Sequence, residues 1–124
     1  MAVYNQAIKL NPKLCLAYKH RGNVKQRNGD LDGAMADYNQ AIRLDPNYAV
    51  AYSNRGKAKA SKGDLDGATA DYNQAIRLNP NYALAYRNRG EAKRKKGDLN
   101  GATADFDQAI KLGSQPVNVE VIGD

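Results

Sequence analysis

The chain has no tryptophan, one phenylalanine and one cysteine among its 124 residues. Large apolar side chains are therefore scarce, and a thick core is not expected. The hydrophobic share of 42%, rich in alanine, suits a thin core between closely approaching helices. The lone cysteine, Cys15, excludes an internal disulfide framework and fits a reducing, cytoplasmic compartment. No apolar run reaches the ~18 residues of a bilayer span, and no leader pattern opens the chain, so no membrane partner is expected. The single histidine, His20, lies five residues after Cys15 on a different helical face. Three or four convergent metal ligands cannot be assembled from that pair. No nucleophile has a nearby base and orienter, and no glycine run has phosphate-loop spacing after a strand. Asp30 with Asp32, and Asp64 with Asp66, stand at helix starts, where acids suit the helix dipole. Neither enzymatic activity, a metal nor a cofactor is expected.

What the chain does contain is one phrase written repeatedly. DYNQAIRLDPNYA (Asp37 to Ala49) and DYNQAIRLNPNYA (Asp71 to Ala83) agree at 12 of 13 residues, offset by 34. Partial copies begin at Tyr4 and Asp105. A fixed period of this length marks stacked helical units, each with an apolar face that it cannot bury alone. Aligning Gly22, Gly56 and Gly90 gives units 15–48, 49–82 and 83–116, preceded by a second helix in 1–14 and followed by a tail, 117–124. Within each unit, numbered 1 to 34, a first helix stops at Gly29, Gly63 or Gly97, where glycine can turn left-handed. The next residue (Asp30, Asp64 or Asp98) is a good N-cap for the second helix. Pro46 and Pro80 prevent that helix from continuing.

Tyr52, Gly56, Ala68, Tyr72, Ala75 and Pro80, with their equivalents in the other units, carry a resemblance to the tetratricopeptide repeat family over residues 1 to about 112. The resemblance implies an all-α solenoid of helical hairpins, a right-handed superhelix whose first helices line a concave groove for peptides or protein segments. Two positions depart from the family pattern. Position 7, usually leucine, is Arg21, Arg55 and Arg89, and position 11, usually tyrosine, is Lys25, Lys59 and Lys93. In an antiparallel hairpin position 7 comes level with position 23, which is Asp37, Asp71 or Asp105. Each arginine is expected to pair with the aspartate of its own unit, and each lysine to run its stem along the core and its ammonium out to water. The tyrosines, confined to positions 4, 24 and 34, read as core rather than as a base-stacking row.

On the first helix, positions 2, 5, 6, 9, 12 and 13 form a stripe opposite the packed face. It reads Leu16, Lys19, His20, Asn23, Gln26, Arg27 in the first unit. The second gives Val50, Ser53, Asn54, Lys57, Ala60, Ser61 and the third Leu84, Arg87, Asn88, Glu91, Arg94, Lys95. The candidate peptide-binding set is Lys19, His20, Asn23, Arg27, Ser53, Asn54, Lys57, Arg87, Asn88, Glu91 and Arg94. Amides bond an extended backbone through donor and acceptor, and lysine or arginine suits carboxylates, so an acidic peptide or protein segment is the expected partner. Lys19, Asn23 and Asn54 also resemble family members that clamp the C-terminal carboxylate of chaperone tails. Leu84 and Asn88 depart from the lysine and arginine of that clamp, with Arg87 one residue away.

The basic excess, 19 against 13, raises nucleic acid as a rival partner. Three arginines committed to aspartates, and the remaining charge spread over all units, argue against it; the dense cluster Lys93 to Lys96 suits a helix C-terminus. At the ends, the Tyr4, Ala7, Ile8 face and the Ala102, Phe106, Ala109 surroundings lack stacking partners, which predicts self-association into a homo-oligomer. The tail, with Val117, Val119 and Val121 alternating, is expected either to be disordered or to dock as an extended segment.

Overall fold

Apolar residues recurring every three or four positions fold the described part of this computed structural model, residues 1–114, into seven α-helices. These are α1 (Ala2–Leu10), α2 (Cys15–Arg27), α3 (Leu31–Leu44), α4 (Ala49–Ser61), α5 (Leu65–Leu78), α6 (Ala83–Lys95) and α7 (Leu99–Ala109). A π-helical turn, Ile110–Ser114, follows α7. There is no strand among the described residues. The tail at 117–124, for which disorder or extended docking was the expectation, lies outside them.

The joint inside each hairpin is built by two residues. Gly63 has φ of 92°, a left-handed conformation that a side chain would strain. It lets the next amide, Asp64 N–H, reach back to the Lys59 carbonyl at 2.9 Å, while Gly63 N–H bonds the Ala60 carbonyl at 2.9 Å. These two bonds satisfy carbonyls that a helix end otherwise leaves bare. Asp64 then caps α5, its carboxylate accepting from Gly67 N–H at 2.8 Å. One Gly-Asp step thus ends a helix and starts the next, and it is repeated at Gly29-Asp30 and Gly97-Asp98.

The hairpins α2–α3, α4–α5 and α6–α7 stack in series, and the first helices also touch, α2 with α4 and α4 with α6. The core is thin, as the alanine content requires. Tyr38 and Ala34 of α3 are closed by Ala58 of α4, and Tyr72 and Ala68 of α5 by Ala92 of α6. α3 and α5 therefore bury their stripes against the next hairpin. Gly56 permits the closest approach: a Cβ there would stand 2.7 Å from Tyr72 Cε1. The ring is buried and has no room to retreat.

A charged layer runs beside this core. Arg55 donates from Nε and Nη2 to the two oxygens of Asp71, at 2.8 and 2.7 Å, in a bidentate pair. Arg21 with Asp37 and Arg89 with Asp105 repeat it, as the level positions in the hairpin predict. Each guanidinium also lies over the tyrosine three residues before it, 5.3–5.6 Å from the centroid. The lysines correct the expectation that they would only run outward. Lys25, Lys59 and Lys93 each bring Nζ to 3.1 Å from the same carboxylate. The remaining arginine nitrogen donates to an asparagine of the preceding second helix, at Asn5, Asn39 and Asn73. The carboxylate organises one hairpin, and the arginine links it to the previous one.

Candidate functional site

The stacked first helices leave an open groove of about 490 Å³ between α2 and α4, lined by Asn23, Gln26, Arg27, Leu31, Asn54, Lys57 and Ser61. A network of amides holds its floor. Tyr38, fully buried, directs its hydroxyl to Asn23 Oδ1 at 2.6 Å, and Asn54 Nδ2 donates to the same oxygen at 3.0 Å. The hydroxyl has one proton, so its second contact, with the Gln26 amide at 2.9 Å, requires Gln26 to present its NH2 there. With its carbonyl oxygen occupied twice, Asn23 can offer a ligand only N–H donors. Asn54 keeps its carbonyl oxygen for an amide of the ligand. Exposed Arg27 and Lys57 add positive charge on the same walls.

A second, smaller hollow of about 140 Å³ lies between α4 and α6, where Lys57, Asn88 and Glu91 meet Tyr72 and Lys95. Glu91 is engaged by Arg94 one turn away, which holds its carboxyl below the ordinary value. A third, apolar hollow of about 420 Å³ is formed by Leu84, Arg87, Phe106, Ala109 and Ile110 on the outer side of α6 and α7.

Among the eleven residues expected from sequence, the structure brings Asn23, Arg27, Asn54 and Lys57 together in the first groove, and Lys57, Asn88 and Glu91 in the second. Arg87 belongs to the apolar hollow, and Arg94 to its ion pair with Glu91. Lys19 lines none of the three hollows. Two residues are corrected. Ser53 is 1% exposed, so a groove ligand cannot reach it; its short side chain stays beneath the surface where Lys19 and Arg87 extend outward. Its hydroxyl has no hydrogen-bond partner among the described residues, since it approaches Tyr82 without bonding geometry. His20 is committed to packing: its ring stacks on Tyr4 of α1 at 5.5 Å and 20°. Burial, then the Lys19 charge, lowers its pKa and favours the neutral ring. Leu31 and Tyr72 also line the groove although the stripe on the first helices does not contain them. Both come from second helices, whose edges reach the concave side.

The basic excess does not make the whole surface basic. Nine of the nineteen basic residues stand in ion pairs among the described residues. Six of those serve the buried aspartates, and Lys62 and Lys96 join successive hairpins through Asp32 and Asp66. Burial raises the Asp105 pKa, but hydrogen bonds from Arg89 and Lys93 outweigh it and hold the carboxyl below its ordinary value. No described helix is long and apolar enough to cross a membrane.

Comparison with known proteins agrees with this architecture. No curated protein matches the chain in sequence. Among solved structures, MamA superposes with a TM-score of 0.78 at 27% identity, over 86% of this chain and 62% of MamA. The chain thus spans less than two thirds of MamA. The first TPR of Spaghetti (RPAP3), bound to the HSP90 peptide SRMEEVD, gives 0.78 at 28% identity, over 87% of this chain and 86% of that domain. The second TPR of Spaghetti, bound to the same peptide, gives 0.77 at 31%, over 82% and 94%. The model of the TPR repeat matches residues 27–63 and 56–95. With the hairpin stack, the buried tyrosine-alanine seams and this match, the chain belongs to the tetratricopeptide repeat family.

Proposed function

We propose that the chain is a non-enzymatic protein-interaction module that holds an extended, acidic peptide or protein segment in its concave groove. The observation that carries this is the floor between α2 and α4, where Asn23 is locked with its N–H donors free beside Arg27 and Lys57. Such a wall complements carboxylates and backbone carbonyls and offers no exposed ring on which a base could stack. The two Spaghetti domains supply a relevant probe, since SRMEEVD is acidic. Fluorescence anisotropy at ~0.15 M salt, near physiological, compares SRMEEVD, its counterpart SRMQQVN without acidic side chains, and a single-stranded RNA. The acidic peptide is expected to bind tightest; tighter binding of RNA would overturn the reading.

A second reading, association between copies, is favoured by the apolar hollow beside α7 and by Leu84 and Ile110, which stand 43% and 62% exposed. Val3 and Leu10 of α1 are exposed as well, whereas the expected face at Tyr4, Ala7 and Ile8 is half-buried and Ala102 and Ala109 are buried. Contiguous apolar surface of this kind seeks a partner. Sedimentation velocity is expected to show a species heavier than the monomer as concentration rises to ~100 µM. A single monomeric boundary throughout removes this reading.

A further inference from the structure

The three hairpins solve one local problem in three different ways. Position 24 carries a ring whose tip points toward positions 9 and 12 of its own unit. In the first hairpin the ring is Tyr38, and its hydroxyl is met by Asn23 and Gln26, which occupy those positions. In the third the ring is Phe106, which has no hydroxyl to satisfy, and Glu91 and Arg94 at those positions pair with each other. The second hairpin follows neither solution. Its ring is Tyr72, with a hydroxyl, but positions 9 and 12 are Lys57 and Ala60. Lys57 is a donor and Ala60 has nothing to offer.

Tyr72 is 2% exposed, and its hydroxyl makes no hydrogen bond among the described residues, yet it is not sealed away like the Ser53 hydroxyl. It lines the 140 Å³ hollow beside Ala60, whereas in the first hairpin Gln26 covers the Tyr38 hydroxyl and keeps that ring out of the groove lining. A hydroxyl that opens into such a hollow takes its partner from there, from water or from a ligand. The first hairpin shows what that hydroxyl takes, an oxygen acceptor. Around the hollow stand Lys57, Lys95, the Asn88 amide and the Ser61 hydroxyl, while the one acid, Glu91, is tied to Arg94.

We infer that this hollow between α4 and α6 is a carboxylate-binding subsite, in which a carboxylate of the groove's ligand accepts from the Tyr72 hydroxyl and is neutralised by Lys57 and Lys95. The volume matches about four water molecules, enough for a carboxylate and its methylene. The subsite rests on the acidic-peptide reading of the groove for its physiological occupant, though the hollow itself does not depend on it. A carboxylate can arrive on an aspartate or glutamate side chain or at a chain end.

The test uses free carboxylates, so it is separate from peptide binding. N-acetylglutamate α-amide carries only a side-chain carboxylate, and N-acetylglycine only a terminal one. Each is titrated against the whole chain at ionic strength held constant with sodium chloride, and the Asn88 side-chain amide is followed by NMR. A saturable shift with either probe is expected, and the tighter probe identifies the source. Tyr72→Phe, a ring that this protein already uses at Phe106, is expected to weaken binding about tenfold, the loss of one hydrogen bond to a charged group. Ala60→Gln places an amide over the Tyr72 hydroxyl as Gln26 does over that of Tyr38 and is expected to abolish the shift. Urea midpoints confirm that both variants remain folded. The inference is overturned if neither probe exceeds chloride, or if Ala60→Gln leaves the response intact. If these titrations fail while SRMEEVD still binds, the acidic-peptide reading stands and the subsite falls.

Discussion

Replacing Asp71 with alanine is expected to lower the unfolding free energy by about 3 kcal/mol, the low end of the cost of breaking a buried ion pair. Asp71 is 4% exposed and takes both oxygens' worth of bonds from Arg55 and a third contact from Lys59. Its removal leaves two cations facing a cavity. The loss stays at the low end because the Arg55 and Lys59 side chains are 20% and 23% exposed and can turn partly to water. Arg55→Leu has a smaller expected cost, about 1–2 kcal/mol, because Lys59 stays on Asp71 while the bond to Asn39 is lost. The double change Arg55→Leu with Asp71→Leu removes both charges and fills the space, so it is expected to fall within about 1 kcal/mol of the parent. Urea melts of the four proteins measure the coupling. Strict additivity would mean that the carboxylate and the guanidinium do not share an interaction.

The aspartate row also has a pH signature, carried by Asp105. Its folded pKa is depressed, so the stability it contributes is present above its unfolded value, about 4, and is lost as pH falls toward the lowered folded one. Acid is therefore expected to loosen the α6–α7 hairpin.

Much of this architecture was legible because the repeat supplies several copies of each local signal. Glycine followed by aspartate states a helix end and a helix start in two letters, and the structure uses both. The Arg–Asp pairing followed from the level of positions 7 and 23 in an antiparallel hairpin. What stayed hidden depended on long side chains or on contacts between units. A lysine stem reaches several places, so spacing alone did not put Lys59 on the carboxylate already held by Arg55. Asn39 meets Arg55 only after two hairpins stack. Ser53 and His20 share a helical stripe with the groove residues, but Ser53 is buried and Tyr4 occupies the ring of His20. Periodicity shows which face a residue is on, not what the adjacent unit lays over it. Tyr72 shows the reverse case: a ring correctly read as core has a tip that reaches the groove.

The largest expected effect on binding comes from reversing the two free charges of the first groove. Arg27→Glu with Lys57→Glu is expected to weaken SRMEEVD binding at least ~100-fold at 0.15 M salt, since charge-assisted bonds contribute about 1.5–3 kcal/mol each and 1.4 kcal/mol is tenfold. Both residues are exposed and neither stands in an ion pair among the described residues, so the fold has little reason to respond. Arg27 is the last residue of α2, where an acid opposes the helix dipole by about 0.3–1 kcal/mol. Arg27→Gln with Lys57→Gln is the control for that penalty, and it should lose about half of the binding effect on a logarithmic scale. The salt dependence separates charge from shape. At 1 M salt the screening length falls to about 3 Å, so the reversed variant should recover part of its deficit while the parent weakens. A basic peptide, SRMKKVK, should reverse the order of the two proteins. If the reversed variant binds SRMEEVD as the parent does, the peptide does not lie between α2 and α4, and the amide floor at Asn23 and Asn54 serves only to join the hairpins.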